Sequence, residues 1–162
     1  MVAMADANLD ELPAFADLTR KLPLHVRFIE VMPLDSNAKG RQFVSVREMQ
    51  AAIQDELIPC PGPEGAGPAR YFRLEGGLGT VGFISPISGH FCETCNRLRM
   101  TADGVIRPCL CSTFGIPLRD KLRSGLDDES LVDLLAQAIA SKPKQHNLQD
   151  GVCNVPMSKV GG

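Results

Sequence analysis

The chain has 162 residues and a net charge of −2, and 44% of its residues are apolar, a composition typical of a globular protein with one ordinary core. It has no excess of basic residues that would bind a nucleic-acid backbone, and with no Trp and a single Tyr it has few aromatic side chains on which bases could stack. No apolar run approaches the roughly 18–20 residues that a membrane span needs, and we expect neither nucleic acid nor membrane as a partner.

The first residues, MVAMADANLDEL, contain no basic segment followed by an apolar core, as a secretory signal would. This predicts a location in the reducing cytoplasm or an organelle matrix. Closely spaced cysteines in such a compartment indicate a metal site sooner than disulfides.

The N-terminal half predicts strands and helices in alternation. MVAMA indicates a strand or its tail, and NLDELPAFADLTRKL has helical spacing with Asn8 or Asp10 as its N-cap. LHVRFIEVMP predicts a buried strand that Pro33 closes, and residues 34–43 predict a loop or boundary. SVREMQAAIQDEL predicts a helix that opens with a capping box between Ser45 and Glu48.

The second half predicts strands at RYFRL and GTVGFISPI, on either side of turn-forming residues. Asp103-Gly104 lies between two short β-prone runs and predicts a hairpin. IPLRDKLRSG predicts a helix that Gly125 ends. DDESLVDLLAQAIASKP is the clearest helix, with an acidic start, an apolar face and a lysine near its end. The apolar face consists of Leu131, Leu134, Leu135, Ala138 and Ile139.

Four of the six cysteines lie within FCETCNRLRMTADGVIRPCLC, where Cys92-x2-Cys95 is followed by Cys109 and Cys111. Thiolates select zinc, copper(I) or iron–sulfur clusters, and the spacing alone does not separate these. Four thiolates suit zinc. Three thiolates and a spare suit a [4Fe–4S] cluster with one open iron, and the neighbouring arginines suit an anionic ligand.

This region resembles the molybdenum cofactor biosynthesis protein A family, the GTP 3′,8-cyclases. The family pattern FCxxCNRxR, TADG and RxCL is matched by GFISPISGHFCETCNRLRMTADGVIRPCL. RFIEVMP at residues 27–33 resembles the last barrel strands of the family, and PMSKVGG at residues 156–162 resembles its double-glycine C-terminus.

The resemblance implies an α/β (α+β) fold. Residues 1–35 would be a remnant of the radical S-adenosylmethionine barrel, the last segment of an incomplete TIM-type barrel. Residues 36–162 would form the C-terminal iron–sulfur and GTP-binding domain, with a small antiparallel sheet, helices and the Gly-Gly tail.

The resemblance also implies the site. Cys92, Cys95 and Cys109 would hold the second [4Fe–4S] cluster of the family, whose open iron binds the purine of GTP. GTP contacts carry over to Arg97, Leu98, Arg99 and, from a strand end, Arg27. Met32 would contact S-adenosylmethionine, and Gly161 and Gly162 would reach into the active site, where only glycine passes close to other groups.

Family members form 3′,8-cyclo-7,8-dihydro-GTP in molybdenum cofactor biosynthesis, starting from a 5′-deoxyadenosyl radical made at a Cys-x3-Cys-x2-Cys cluster. This sequence contains no Cys-x3-Cys-x2-Cys. We therefore expect the substrate-binding part of a cyclase, inactive alone and without a catalytic residue of its own. It would bind S-adenosylmethionine only together with the missing N-terminal part. The expected partners are an N-terminal partner chain or a second copy in a homodimer.

Two residues depart from the family pattern: Cys111 replaces a frequent aromatic residue, and Val155 replaces a frequent arginine. Cys111 as a fourth thiolate would close the open iron, whereas a packed thiol would leave it open, and the second interpretation is favoured. GLGTVG at residues 77–82 fits G-x-G-x-x-G, but no predicted helix follows it, which argues against dinucleotide binding. The alternative function is a non-catalytic, zinc-stabilised binding module.

Overall fold

The computed structural model describes residues 1–34, 43–65, 67–112 and 114–146. Within these ranges the chain forms two compact units, residues 1–32 with 43–91 and residues 33–34 with 92–146. The assignment of residues 1–35 to a barrel remnant and of residues 36–162 to a C-terminal domain stays a prediction. Among the described residues, no helix combines the length and apolar character needed to cross a membrane.

The first unit contains a five-stranded mixed sheet. In chain order its strands are β1 (Val2–Ala3), β2 (His25–Glu30), β3 (Ile58–Pro59), β4 (Arg70–Arg73) and β5 (Thr80–Ile84). The spatial order is β1-β2-β5-β4-β3. β1, β2 and β5 run parallel, and β4 and β3 continue the sheet in antiparallel fashion.

Two helices belong to this sheet, α1 (Leu12–Lys21), preceded by a 3-10 turn, and α2 (Val46–Ile53). The predicted capping box is confirmed, because the Glu48 amide donates to Ser45 Oγ and the Glu48 carboxylate accepts from the Ser45 amide. The prediction that Asn8 or Asp10 caps α1 is wrong, because the N-cap position of α1 is Glu11. Asn8 has another role. Its side chain accepts from the Met4 amide and donates to the Val2 carbonyl, which closes the turn after β1 instead.

The core of the first unit lies between the sheet and these helices. Phe28 of β2 and Phe83 of β5 are buried with their ring centroids 5.8 Å apart. The helices contribute their own buried apolar residues, namely Leu12, Ala16, Met49 and Ile53. Alternation along β2 therefore sends Phe28 and Glu30 inward and leaves Arg27 exposed on the other face.

The second unit is a three-stranded antiparallel sheet with two helices. Its elements are β6 (Arg99–Met100), β7 (Val105–Arg107), β8 (Ile116–Pro117), α3 (Leu118–Arg123) and α4 (Asp128–Ala140), with the strands in the order β6-β7-β8. The predicted hairpin is confirmed: Gly104 has φ +78°, and a Cβ there would lie 2.5 Å from Arg119 Cβ.

A small core joins α4 to the hairpin. Ile106, Leu134 and Ala138 are buried together, and Leu98 packs against them. The helix is confirmed, but its predicted apolar face is only partly covered, because Ile139 is 57% exposed. The mixed α/β fold with a small antiparallel sheet and helices agrees with the prediction.

Candidate functional site

The predicted cluster ligands flank the β6–β7 hairpin of the second unit. Cys92–Thr94 forms a 3-10 turn, in which the Cys95 amide donates to the Cys92 carbonyl at 3.2 Å. Cys109 follows β7 by two residues, directly after the buried Pro108. All three thiols are half-buried, which leaves the sulfurs reachable by a metal while shielding them from bulk water.

The neighbours of Cys109 favour its thiolate form. A hydrogen bond from Cys111, together with the nearby charges of Lys142 and His146, lowers the pKa of Cys109 to about 5 despite its partial burial. The thiolate is the form that binds metals, so Cys109 is in its binding form at neutral pH. Cys111 therefore lies beside Cys109, in contact with one of the predicted ligands.

Lys142 follows the end of α4 by two residues and extends its ammonium into the cysteine region. Its Nζ donates to the carbonyls of Arg97, at 2.7 Å, and Pro108, at 2.9 Å, and lies 3.8 Å from Cys95 Sγ. From the sequence it was only a cation near a helix end. Its partners are 34 to 47 residues away, and no local pattern points to them.

His146 is a second residue that the sequence did not single out. Ring nitrogens of His90 and His146 and Cys92 Sγ all lie within 4.8 Å of one another. Zinc accepts both sulfur and imidazole ligands, so these three residues suit a single zinc ion. A four-iron cluster binds each thiolate at a different iron, so its ligands are spread around a larger object.

The predicted GTP-binding arginines lie beside these cysteines. Leu98 packs against the core, Arg97 lies two residues after Cys95, and Arg99 begins β6. Arg99 is paired directly with Arg107 across the hairpin, so these two side chains belong to the same face of the sheet. Arg107 Nη1 donates to the Ser112 carbonyl at 2.7 Å, and its buried Nε has no acceptor within the part of the chain that the structure describes.

Arg27 belongs to a row of three residues across the first unit's sheet. Arg27 pairs with Gly82 of β5, and Gly82 pairs with Tyr71 of β4. A Cβ on Gly82 would lie 2.9 Å from the Tyr71 ring, so glycine lets that ring cross the strand. Arg27 Nε then donates to the Tyr71 hydroxyl at 2.6 Å, and the guanidinium carbon lies 5.7 Å from the ring centroid.

A cavity of about 430 Å³ opens beside this row. Its lining includes Arg27, Tyr71, Glu64 and Ile84, together with the glycine- and proline-rich residues 62–65 and 67–69. The G-x-G-x-x-G match at residues 77–82 leads into β5, a strand rather than a helix. Its last glycine, Gly82, leaves room for the Tyr71 ring and does not form a phosphate-binding turn. The argument against a dinucleotide fingerprint is thereby confirmed.

Glu30, in the RFIEVMP motif, is fully buried and was not singled out from the sequence. Its Oε2 accepts from the amides of Ile87 and Ser88, both at 2.9 Å, and its Oε1 accepts from the Val46 amide and the Ser88 hydroxyl. One carboxylate thus connects the end of β2 to the start of α2 and to the residues after β5.

The remaining predicted site residues are Met32, Gly161 and Gly162. Met32 is half-buried at the end of the first unit. Gly161 and Gly162, like Val155, lie outside the described residues. Arg27 and Met32 belong to the first unit, whereas the three cysteines, Arg97, Leu98 and Arg99 belong to the second.

Comparison with known proteins identifies relatives of the whole chain. The model of a family described as Molybdenum Cofactor Synthesis C matches residues 24–148. A GTP 3′,8-cyclase from Heliobacterium modesticaldum is 48% identical over 171 aligned residues, which cover all of this chain and 52% of that protein.

Two further relatives bear the same name. The GTP 3′,8-cyclase of Pelotomaculum thermopropionicum is 46% identical over 96% of this chain and 50% of its own length. That of Moorella thermoacetica is 44% identical over 96% of this chain and 49% of its own length. The chain thus spans about half the length of the curated relatives it matches.

Proposed function

The chain belongs to the Molybdenum Cofactor Synthesis C family, and we propose that it is the substrate-binding, C-terminal part of a GTP 3′,8-cyclase. The observation that carries this proposal is that one ammonium, that of Lys142, contacts Cys95 Sγ and the carbonyls of Arg97 and Pro108, and so brings the segments of Cys95 and Cys109 together beside an arginine. Soft ligands next to cations suit a metal centre that meets an anionic substrate.

Cys92, Cys95 and Cys109 would hold a [4Fe–4S] cluster. The donor set fits this group, because it consists of thiols, one of which has its pKa lowered to about 5. When bound, the cluster supplies an iron with an open coordination position, at which the purine of GTP can bind. Cys111 lies beside Cys109, and in this proposal it donates a hydrogen bond to that sulfur and does not occupy the open position.

The arginines would hold the nucleotide. Guanidinium groups offer paired donors to phosphate oxygens, and each charge-assisted hydrogen bond contributes about 1.5–3 kcal/mol. Arg97 and Arg99 would present such groups close to Cys95, on either side of Leu98, which packs against the core. Arg27, oriented by Tyr71 at the 430 Å³ cavity, would be a further contact for GTP.

The radical chemistry requires residues that this sequence lacks. None of its six cysteines forms a Cys-x3-Cys-x2-Cys motif. We propose that the cluster that cleaves S-adenosylmethionine belongs to an N-terminal segment of a longer cyclase or of a partner chain. Met32 would contact S-adenosylmethionine in that assembly, and the Gly161-Gly162 tail would enter the completed active site.

The surface of the first unit offers a place for such a segment. β1 is an edge of the described sheet, and Phe15 and Leu18 of α1 are 39% and 38% exposed. Arg20, about 200° around the helix from Leu18, binds Asp55 at 2.6 Å, so the apolar stripe lies on the other side of α1 from this contact. A further parallel strand with its helix would cover both the edge and the stripe.

The proposal is tested by anaerobic reconstitution with iron and sulfide, followed by GTP titration. We expect about four irons per chain, a brown protein and GTP binding that depends on the cluster. Replacing Cys92, Cys95 or Cys109 by Ala should abolish the visible absorption, whereas Cys60→Ala should retain it. A protein that takes up no iron under these conditions would contradict the proposal.

A zinc-stabilised binding module is the second candidate, favoured by the approach of His90, Cys92 and His146 within 4.8 Å of one another. It predicts a colourless protein with one zinc per chain and no GTP binding. His146→Ala would then release the metal, whereas the iron–sulfur proposal expects this variant to keep its cluster. Metal analysis of the parent and of this variant separates the two.

A further inference from the structure

Lys142 connects the two segments that carry the predicted metal ligands. Its ammonium donates to the carbonyl of Arg97, two residues after Cys95, and to that of Pro108, one residue before Cys109. Its third contact is Cys95 Sγ at 3.8 Å. The three N–H donors of a lysine ammonium therefore match three acceptors around one point.

The position of this ammonium is set by packing. α4 presses Leu134 and Ala138 into the core beside Ile106, which fixes the helix against the hairpin. The Lys142 amide donates to the Ile139 carbonyl, so the chain is still held at the helix end. Lys142 is half-buried, and its side chain is thus directed from an anchored backbone into the cysteine region.

A simpler role would be to balance the dipole of α4, for which a cation near the last turn is enough. That role requires no contact with other segments, and an ammonium in solvent fulfils it equally well. The hydrogen bonds to Arg97 and Pro108 are directional contacts with residues 45 and 34 positions away. They supply a hydrogen-bond donor to two backbone carbonyls on neighbouring segments, which would otherwise need water or another group as a donor.

We propose that Lys142 is a positioning residue of the metal centre: it holds the Cys95 and Cys109 segments together before metal binds, and keeps a cation against the Cys95 sulfur afterwards. The first role concerns the protein without metal. The second rests on the proposed function, since it requires a cluster at Cys92, Cys95 and Cys109.

Each role has its own measurement. Without Lys142 the two segments lose their shared donor, so the metal-free protein should unfold at a lower temperature. With the cluster bound, loss of the cation and of a hydrogen bond to sulfur should make reduction harder, because the added electron is then less stabilised. The cluster should also leave the protein faster.

The test compares Lys142→Met, which keeps the aliphatic stem, with Lys144→Met, an exposed lysine two residues away that serves as the matched control. We expect Lys142→Met to lower the Tm of the metal-free protein by about 5–10 °C. Iron loss to a chelator should be about tenfold faster than in the control. The reduction potential should move to a more negative value, and Lys142→Arg should lie between Met and the parent.

The outcomes are distinguishable. If the metal-free Lys142→Met variant has the same Tm as the Lys144→Met control, the positioning role is overturned, whether or not the parent takes up iron. A parent without iron contradicts the proposed function, and leaves the Tm comparison to decide about Lys142. If Lys142→Met does not fold, Lys142→Arg decides: stability, iron retention and potential equal to those of the control would overturn the proposal.

Discussion

Glu30→Gln should destabilise the first unit strongly, although it preserves the volume of the side chain. The carboxylate accepts from three backbone amides, those of Val46, Ile87 and Ser88, and from the Ser88 hydroxyl, and it is fully buried. Glutamine replaces one oxygen by a donor, so in either orientation at least one amide loses its acceptor. The remaining hydrogen bonds are then made to a neutral amide oxygen instead of a charged carboxylate, and are weaker.

The magnitude follows from these contacts. Hydrogen bonds to a charged group contribute about 1.5–3 kcal/mol each, so weakening or losing two or more should cost about 3–5 kcal/mol. This is a large fraction of the roughly 5–15 kcal/mol that stabilises an ordinary domain. We expect the urea midpoint of the first unit to fall accordingly, while the second unit unfolds as in the parent.

The chain provides its own probe for this experiment. Tyr71 is its only tyrosine, Trp is absent, and Tyr71 lies in β4 of the first unit. Tyrosine fluorescence during urea unfolding therefore reports on that unit. Glu56→Gln, at an exposed carboxylate, is the matched control. A Glu30→Gln free energy of unfolding within about 0.5 kcal/mol of this control would refute the reasoning.

Three further predictions concern the second unit. Arg97→Ala and Arg99→Ala should each weaken GTP binding about tenfold to a hundredfold in anaerobic calorimetry with iron content unchanged; unaltered binding in both would make these arginines a solvated face. Cys111→Ala should raise the pKa of Cys109, seen as slower alkylation of the metal-free protein at pH 6–7, and an unchanged rate would contradict the hydrogen bond. The Ser130 amide lowers the pKa of Asp127, whose contribution to stability is thus complete above its unfolded pKa and lost as pH falls through the lower folded value. Asp127→Asn should reduce the acid sensitivity of the second unit in thermal unfolding between pH 5 and 2, and identical curves would exclude this contribution.

Local patterns predicted the elements that depend on near neighbours. The Ser45–Glu48 capping box involves residues three apart, and Asp103-Gly104 supplies the positive φ that its turn requires. The strands β3 and β8 were missed because each has two residues and ends in proline, so neither carries a periodic signal. The residues of such short strands pair because a longer neighbouring strand, β4 or β7, presents unpaired backbone groups to them.

The contacts that shape the site depend on distant residues. Tyr71 reaches Arg27 only because the register of three strands places Gly82 between them, and that register is not written in any one segment. Helical spacing predicted α1, whose apolar face includes Phe15 and Leu18. It does not indicate which part of that face the rest of the chain covers, and both side chains remain partly exposed.

The second unit couples its small core to the geometry of its candidate metal centre. Ala138 is fully buried against the hairpin, and four residues later Lys142 binds both cysteine-bearing segments. Among the described residues, the buried core beside α4 consists of Ile106, Leu134 and Ala138, so the ammonium's hydrogen bonds are a substantial part of what holds α4 to the cysteine segments. Metal binding at Cys95 and Cys109 would reinforce the same connection from the other side. Stability of this unit and occupancy of its metal centre should therefore rise and fall together.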